Sequence, residues 1–215
     1  MIDSVNWVKN ERKNMKKKNG FTLIEIIVVL AIISVLAAVI TPIAVRQIDE
    51  SRLTAARADT KSLATGIINF RIDTKIWPVY ANTADYNSSN ETIDVLKTSE
   101  GNEASATNNG NWLSRPSDLF KDQLSDNETE PTYPDWKGPY IGEFKSDPWG
   151  RKYYAGVGSL FEDWGDGADP PQAWVITSGP NGNIDTNTNG PLNDDPPGGP
   201  GTGDDVGFLI SSYSN

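Results

Sequence analysis

Two hydrophobic patterns share the first third of the chain and meet at a proline. From Ile26 to Ile40 every position is apolar except Ser34; Phe21, Leu23 and Ile24 extend the run on one side, Ile43, Ala44 and Val45 on the other. Wound as a helix at 1.5 Å per residue, Phe21 to Val45 spans about 37 Å, more than the ~30 Å hydrocarbon core of a bilayer. The run predicts a membrane-crossing helix. A buried core helix is the competing reading, but a small soluble domain rarely hides a helix that is apolar on every face. At Thr41-Pro42 the missing N–H predicts a kink or local melting. Beyond it Ile48, Arg52, Ala55, Ala56, Leu63, Ile67 and Phe70 follow 3.6-residue spacing, with Arg46, Asp49, Glu50, Arg57, Asp59 and Lys61 between them. One helix from about Phe21 to Lys75 follows, amphipathic in its second half and stopped at Trp77-Pro78.

The pattern then changes period. Val79 to Pro134 is rich in Asn, Ser, Thr, Asp and Glu, with short apolar patches at Ile93-Val95-Leu96, Trp112-Leu113 and Leu119-Phe120, which predicts a long surface excursion. In Trp136-Lys137-Gly138-Pro139-Tyr140-Ile141 and Asp147-Pro148-Trp149-Gly150-Arg151-Lys152-Tyr153-Tyr154, aromatics alternate with turn residues, predicting short antiparallel strands and tight turns. Such aromatics can also form carbohydrate platforms, but this spacing favours a sheet core. Trp174-Val175-Ile176-Thr177 and Val206-Gly207-Phe208-Leu209-Ile210 predict further strands. The fold class is α+β, a long N-terminal helix on a small antiparallel sheet. The expected divisions are 1–20, 21–45, 46–76, a polar loop region 77–135 and a head 136–215 with a long C-terminal loop.

Composition narrows the chemistry. The 215 residues include no Cys and no His, which removes disulfides, thiolate and imidazole metal ligands, Cys nucleophiles and His-dependent acid/base schemes. A net charge of -10 argues against a nucleic-acid partner. The charge is uneven: Lys9, Arg12, Lys13, Lys16, Lys17 and Lys18 face only Asp3 and Glu11 in the first 20 residues, and no basic residue follows Lys152. Under the positive-inside rule the basic N-terminal segment stays cytoplasmic and the C-terminal part crosses.

Glu25 does not suit its apolar surroundings. An ionised side chain in the membrane costs roughly 2.5–3.5 kcal/mol on insertion scales, so it either stays wet near the headgroups or meets a cation. No cation lies between Lys18 and Arg46. A new amino terminus made by cutting between Gly20 and Phe21 would supply one.

Lys16-Lys17-Lys18-Asn19-Gly20-Phe21-Thr22-Leu23-Ile24-Glu25 resembles the leader signal of type IV pilins and type II secretion pseudopilins, and the resemblance is strong over residues 13–75. It implies that prepilin peptidase cuts after Gly20, that Phe21 is N-methylated, and that Glu25 pairs with a neighbouring subunit's amino terminus during assembly. Gly138-Pro139-Tyr140 and Asp147-Pro148-Trp149-Gly150 resemble the head of the major pseudopilin. The resemblance implies a structural subunit, not an enzyme. Its partners would be copies of itself, the inner-membrane assembly platform and minor pseudopilins. It would leave the bacterial inner membrane for a periplasmic or extracellular filament that serves protein export. The alternative is an extracellular pilus or adhesin subunit whose Asn/Thr-rich face binds surfaces.

One constellation carries chemistry. Ser178-Gly179-Pro180-Asn181-Gly182-Asn183-Ile184-Asp185 runs on through Asn187 and Asn189-Gly190 to Asp194-Asp195 and Gly203-Asp204-Asp205. Hard oxygen donors on a Gly-rich backbone suit Ca²⁺. Asp185-x-Asn187-x-Asn189-Gly190 matches the first half of an EF-hand loop, but Pro196 stands where its last, bidentate Glu belongs. The pseudopilin resemblance implies a single calcium in the C-terminal loop, with Ser178 and Asn181 at its start and Asp204 and Asp205 at its end; Asn181 replaces an expected Asp. The other reading is a flexible acidic Pro/Gly linker. Repulsion separates the two: gathering Asp185, Asp204 and Asp205 in an ordered loop requires a cation.

Overall fold

The computed structural model describes residues 20–88, 93–106, 111–113, 116–127, 130–142, 145–160, 172–184 and 204–212. Its first element, α1, runs from Leu23 to Thr74 without a break in assignment at Pro42, so the proline does not melt the helix. Lys75 follows with φ 64°, a left-handed residue of the kind that closes helices, so the stop falls just before Trp77-Pro78. The chain divides into two compact units, one ending at Arg46 and one beginning at Gln47. In the first, the whole apolar half of α1 lies exposed. By length and composition that half can cross a membrane.

In the second unit α1 buries one stripe: Ala56, Thr60, Leu63, Ala64, Gly66, Ile67, Phe70 and Thr74. These positions repeat every three or four residues, as an amphipathic helix requires. The stripe packs with Val79, Ile93, Leu96, Phe120, Tyr153, Val175 and Ile210 in the main core.

The sheet has five strands in the order β3-β1-β4-β5-β7, with β1 Val95–Lys97, β3 Ser117–Leu119, β4 Tyr153–Gly156, β5 Gln172–Thr177 and β7 Val206–Ser212. All neighbours are antiparallel except β1 and β3. A second, two-stranded parallel sheet pairs β2 Ser105–Ala106 with β6 Asn183–Ile184. Short helices α2 Thr83–Ser88 and α3 Phe120–Leu124 complete the elements. The architecture is α+β and pilin-like, as the hydrophobic pattern predicts.

Two expectations need correction. The stretch 77–135 is not only a surface excursion: it supplies β1 and β3, and it buries Val79, Ile93, Leu96, Trp112, Phe120 and Tyr133. Its apolar residues are few but fall where a narrow sheet needs them, so average polarity conceals a core contribution. Trp136 to Ile141 is not a strand either. Its rings pack edge-on around Phe70 of α1, with centroids 5.9 Å away for Trp136, 5.6 Å for Tyr140 and 4.8 Å for the nearby Tyr133. Pro139 has no N–H to offer a ladder, and the Tyr140 N–H goes to the Leu124 carbonyl. Ile141 closes this cap over Gly66, where an added Cβ would stand 2.5 Å from its Cγ1.

Candidate functional site

Two places hold the residues singled out by sequence. The first is the start of α1. Gly20 and Phe21 lie ahead of the helix and are exposed. Thr22 is the N-cap. Its backbone N–H donates to Glu25 Oε2 at 2.8 Å, its hydroxyl donates to the same oxygen at 2.8 Å, and the Glu25 N–H donates to Thr22 Oγ1 at 3.3 Å. This is a capping box, Thr-x-x-Glu, in which side chains satisfy amide groups that a helix start leaves without partners. The carboxylate thus meets neutral donors and the positive end of the helix dipole within its own chain. These offset part of the cost of desolvating it. The Thr22-x-x-Glu25 spacing is itself a sequence signal for the box.

The second place is the loop after β5. Ser178 is fully buried, and its Oγ finds no hydrogen-bond partner among the described residues. Asn181 donates its N–H to Asp204 Oδ2 at 2.6 Å, so the two ends of the acidic loop do meet. Asp204 Oδ1 is likewise buried without a hydrogen-bond partner, and Asp205 is buried beside it in sequence. Gly179 makes the approach possible: at φ 57° its Cα faces the Asp204 carbonyl, where a Cβ would stand 2.0 Å from the oxygen. Asp185, Asn187 and Asn189 lie outside the described residues. Among the described residues no group of three or more acidic side chains gathers around one point. Each end of the loop thus carries one buried oxygen without a hydrogen-bond partner, the Ser178 hydroxyl and Asp204 Oδ1.

The Asp147-to-Arg151 turn belongs to this place too, although its sequence reads as sheet core. Asp147 is buried, and its Oδ1 accepts the N–H of Trp149 at 2.9 Å and of Arg151 at 2.7 Å. Its Oδ2 accepts the hydroxyl of Thr177, the residue before Ser178. Arg151 reaches the carbonyls of Gly179 and Pro180. Sequence reading missed both roles, since nothing in a sequence directs a guanidinium to carbonyls 28 and 29 positions away.

A long helix, apolar and exposed at one end, on a small sheet defines the class: a pilin-like subunit. A family model, the prokaryotic N-terminal methylation motif, matches residues 15–41. The chain is similar to the type II secretion system core protein G of Pseudomonas aeruginosa, at 35% identity over 63 residues, which are 29% of this chain and 44% of that protein. It is also similar to the type II secretion system core protein G of Vibrio cholerae, at 25% identity over 199 residues, 91% of this chain and 94% of that one. The first of these matches spans less than half of the relative. No solved structure matches the chain. Motif and relatives together support the resemblance to pseudopilins.

Proposed function

We propose that the chain is a filament subunit of a type II secretion-like system, processed after Gly20, methylated on Phe21, and polymerised through the apolar half of α1. The observation that carries this reading is the exposed apolar run that begins one turn after the Gly20-Phe21 bond and is continuous with α1 of the folded head. Such a surface must be covered, first by lipid in the inner membrane and then by the same segment of neighbouring subunits. The basic leader keeps the N-terminus cytoplasmic, so the head faces the periplasm. Prepilin peptidase, the assembly platform and minor pseudopilins are its partners in that scheme. The net negative charge of Glu25 pairs with the next subunit's amino terminus and sets register.

The intact mass of the protein taken from membranes tests the processing: loss of residues 1–20 plus one methyl group is expected, and an unprocessed mass overturns it. Electron microscopy of cells and sheared supernatants tests the role. Short filaments confined to the envelope fit export. Abundant long surface filaments would instead favour an adhesive pilus.

The same proposal includes one Ca²⁺ in the C-terminal loop. Ser178 Oγ and Asp204 Oδ1 would supply ligands from the described residues, with Asp205, Asn181 and the loop residues Asp185, Asn187 and Asn189 as the other candidates. What supports it is the burial of two hard oxygens without hydrogen-bond partners, a costly arrangement unless something binds them. Bound metal would tie the loop to the head and stabilise the fold by its binding free energy. Melting the detergent-solubilised chain with and without EDTA tests it. An unchanged curve, with no calcium by elemental analysis, removes the metal.

A further inference from the structure

We infer that Arg151 is the positioning residue of the calcium loop: its guanidinium holds the Ser178–Gly182 turn in shape before any metal arrives. The inference rests on the calcium proposal above.

The placement of Arg151 is fixed from beneath. Its N–H donates to buried Asp147 Oδ1, and its carbonyl accepts the Asp147 N–H at 2.7 Å, so the backbone on both sides of its side chain is pinned. Gly150, at φ 82°, allows the turn that brings Arg151 back onto Asp147. From there the guanidinium forks onto two successive carbonyls, Gly179 O and Pro180 O, the second at 3.3 Å from Nη2. A planar fork suits paired acceptors in a way that a lysine ammonium does not. Gly182, at φ 81°, presses against the fork: a Cβ there would stand 2.6 Å from both Cζ and Nη2. The turn also closes on itself through Gly182 N–H to Ser178 O at 3.1 Å and is tied to β2 by Ser105 N–H to Gly182 O at 2.8 Å.

Two consequences follow. Gly179 O and Pro180 O, the backbone oxygens that a free loop would offer to a divalent cation, are already used by the guanidinium. What remains for a metal on this turn is the buried Ser178 hydroxyl, while Asp204 is bonded to the turn at the Asn181 N–H. In addition, the guanidinium and the backbone bonds hold the five residues of the turn through contacts within the protein, which lowers the ordering that a bound calcium would have to impose. The charge of Arg151 works against a dication, but it is engaged by two carbonyl dipoles. Pre-ordering therefore outweighs repulsion, and loss of the fork weakens calcium binding.

The experiment uses the full chain in detergent, comparing the parent with Arg151→Lys, Arg151→Gln and Gly182→Ala. The last keeps the arginine but pushes its fork away. Near-UV circular dichroism of the Phe70, Tyr133, Trp136 and Tyr140 cluster checks that each variant folds. Calcium Kd is read by titration calorimetry, and amide exchange at Gly179, Asn181 and Gly182 is followed in EDTA. The expected result is a calcium Kd weaker by about tenfold or more in all three, the size usual for losing a group that orients ligands, with faster exchange of those amides in EDTA. If Arg151→Gln binds calcium as tightly as the parent or more so, repulsion dominates and the inference is overturned. Should the parent bind no calcium, the metal proposal fails by itself. Exchange in EDTA then still decides the arginine's part: faster in the variants sustains the hold on the turn, and unchanged refutes it.

Discussion

Tyr153 of β4 donates its hydroxyl to Asp59 Oδ2 of α1 at 2.8 Å, joining sheet and helix across 94 positions of sequence. The ring is buried while Asp59 stays exposed at the rim of a cavity of about 200 Å³ that also takes in Ser62, Thr98 and Lys145. Burial first, and then the Asp59 carboxylate, push the Tyr153 hydroxyl above its ordinary value near 10. A raised acid gives stability that is complete below that ordinary value and is lost as pH climbs past it towards the folded value. Tyr153→Phe should therefore cost about 1 kcal/mol at neutral pH, the usual worth of one hydrogen bond, and should flatten the loss of stability above pH ~10. Urea melts of both proteins at pH 7 and 10.5 check this; equal slopes against pH would count against it.

Glu103 behaves in the opposite sense. Its Oε1 takes Lys152 at 3.0 Å and Lys97 at 3.4 Å, and its Oε2 takes the Tyr154 hydroxyl at 2.7 Å. Burial pulls the carboxyl upwards, but the Tyr154 hydroxyl and the two lysines outweigh it and hold the group below 4.5. A lowered acid stabilises above its unfolded value and loses that contribution as pH falls through the folded one. Because the side chain is about half exposed, Glu103→Gln should cost less than about 1 kcal/mol at pH 7. The gap between parent and variant should close below pH ~4. A gap that persists at pH 3 would show that packing, not charge, is lost.

Gly66→Ala tests the closest approach of α1 to the head. In an open helix this change stabilises by roughly 0.5–1 kcal/mol. Here the new Cβ meets Ile141 Cγ1 at 2.5 Å and Tyr140 O at 3.2 Å, so a loss of about 1–3 kcal/mol is expected from overpacking. Adding Ile141→Ala should recover part of it, because the two changes share one space. Thermal melts of both single variants and the double check the coupling, and a stabilised Gly66→Ala would refute the contact.

Glu25 has two separable duties, accepting from Thr22 and carrying a charge. Glu25→Gln keeps an oxygen for the capping box but removes the charge, whereas Glu25→Ala removes both. The proposed pairing with a partner's amino terminus requires the charge, so under that proposal both variants should abolish filaments scored by electron microscopy of sheared material. A Gln variant that polymerises like the parent would reduce Glu25 to a helix cap.

The local rules of the chain were legible without coordinates wherever one short segment decides the outcome alone. The apolar run fixes the exposed half of α1, the 3.6-residue spacing of Ala56, Leu63, Ile67 and Phe70 fixes its buried stripe, and residues 15–41 carry the N-terminal methylation motif. These features depend on neighbours three or four residues away, and sequence displays such neighbours directly. Tertiary structure alone decided what distant segments do to one another. It drew Ile93, Leu96 and Phe120 out of a polar stretch into the core, and it turned Trp136 to Ile141 from a presumed strand into an aromatic cap on Phe70. It also set Arg151 against the carbonyls of a loop far along the chain. In each case the deciding quantity is which surfaces and polar atoms share one small volume, and linear order carries no record of that.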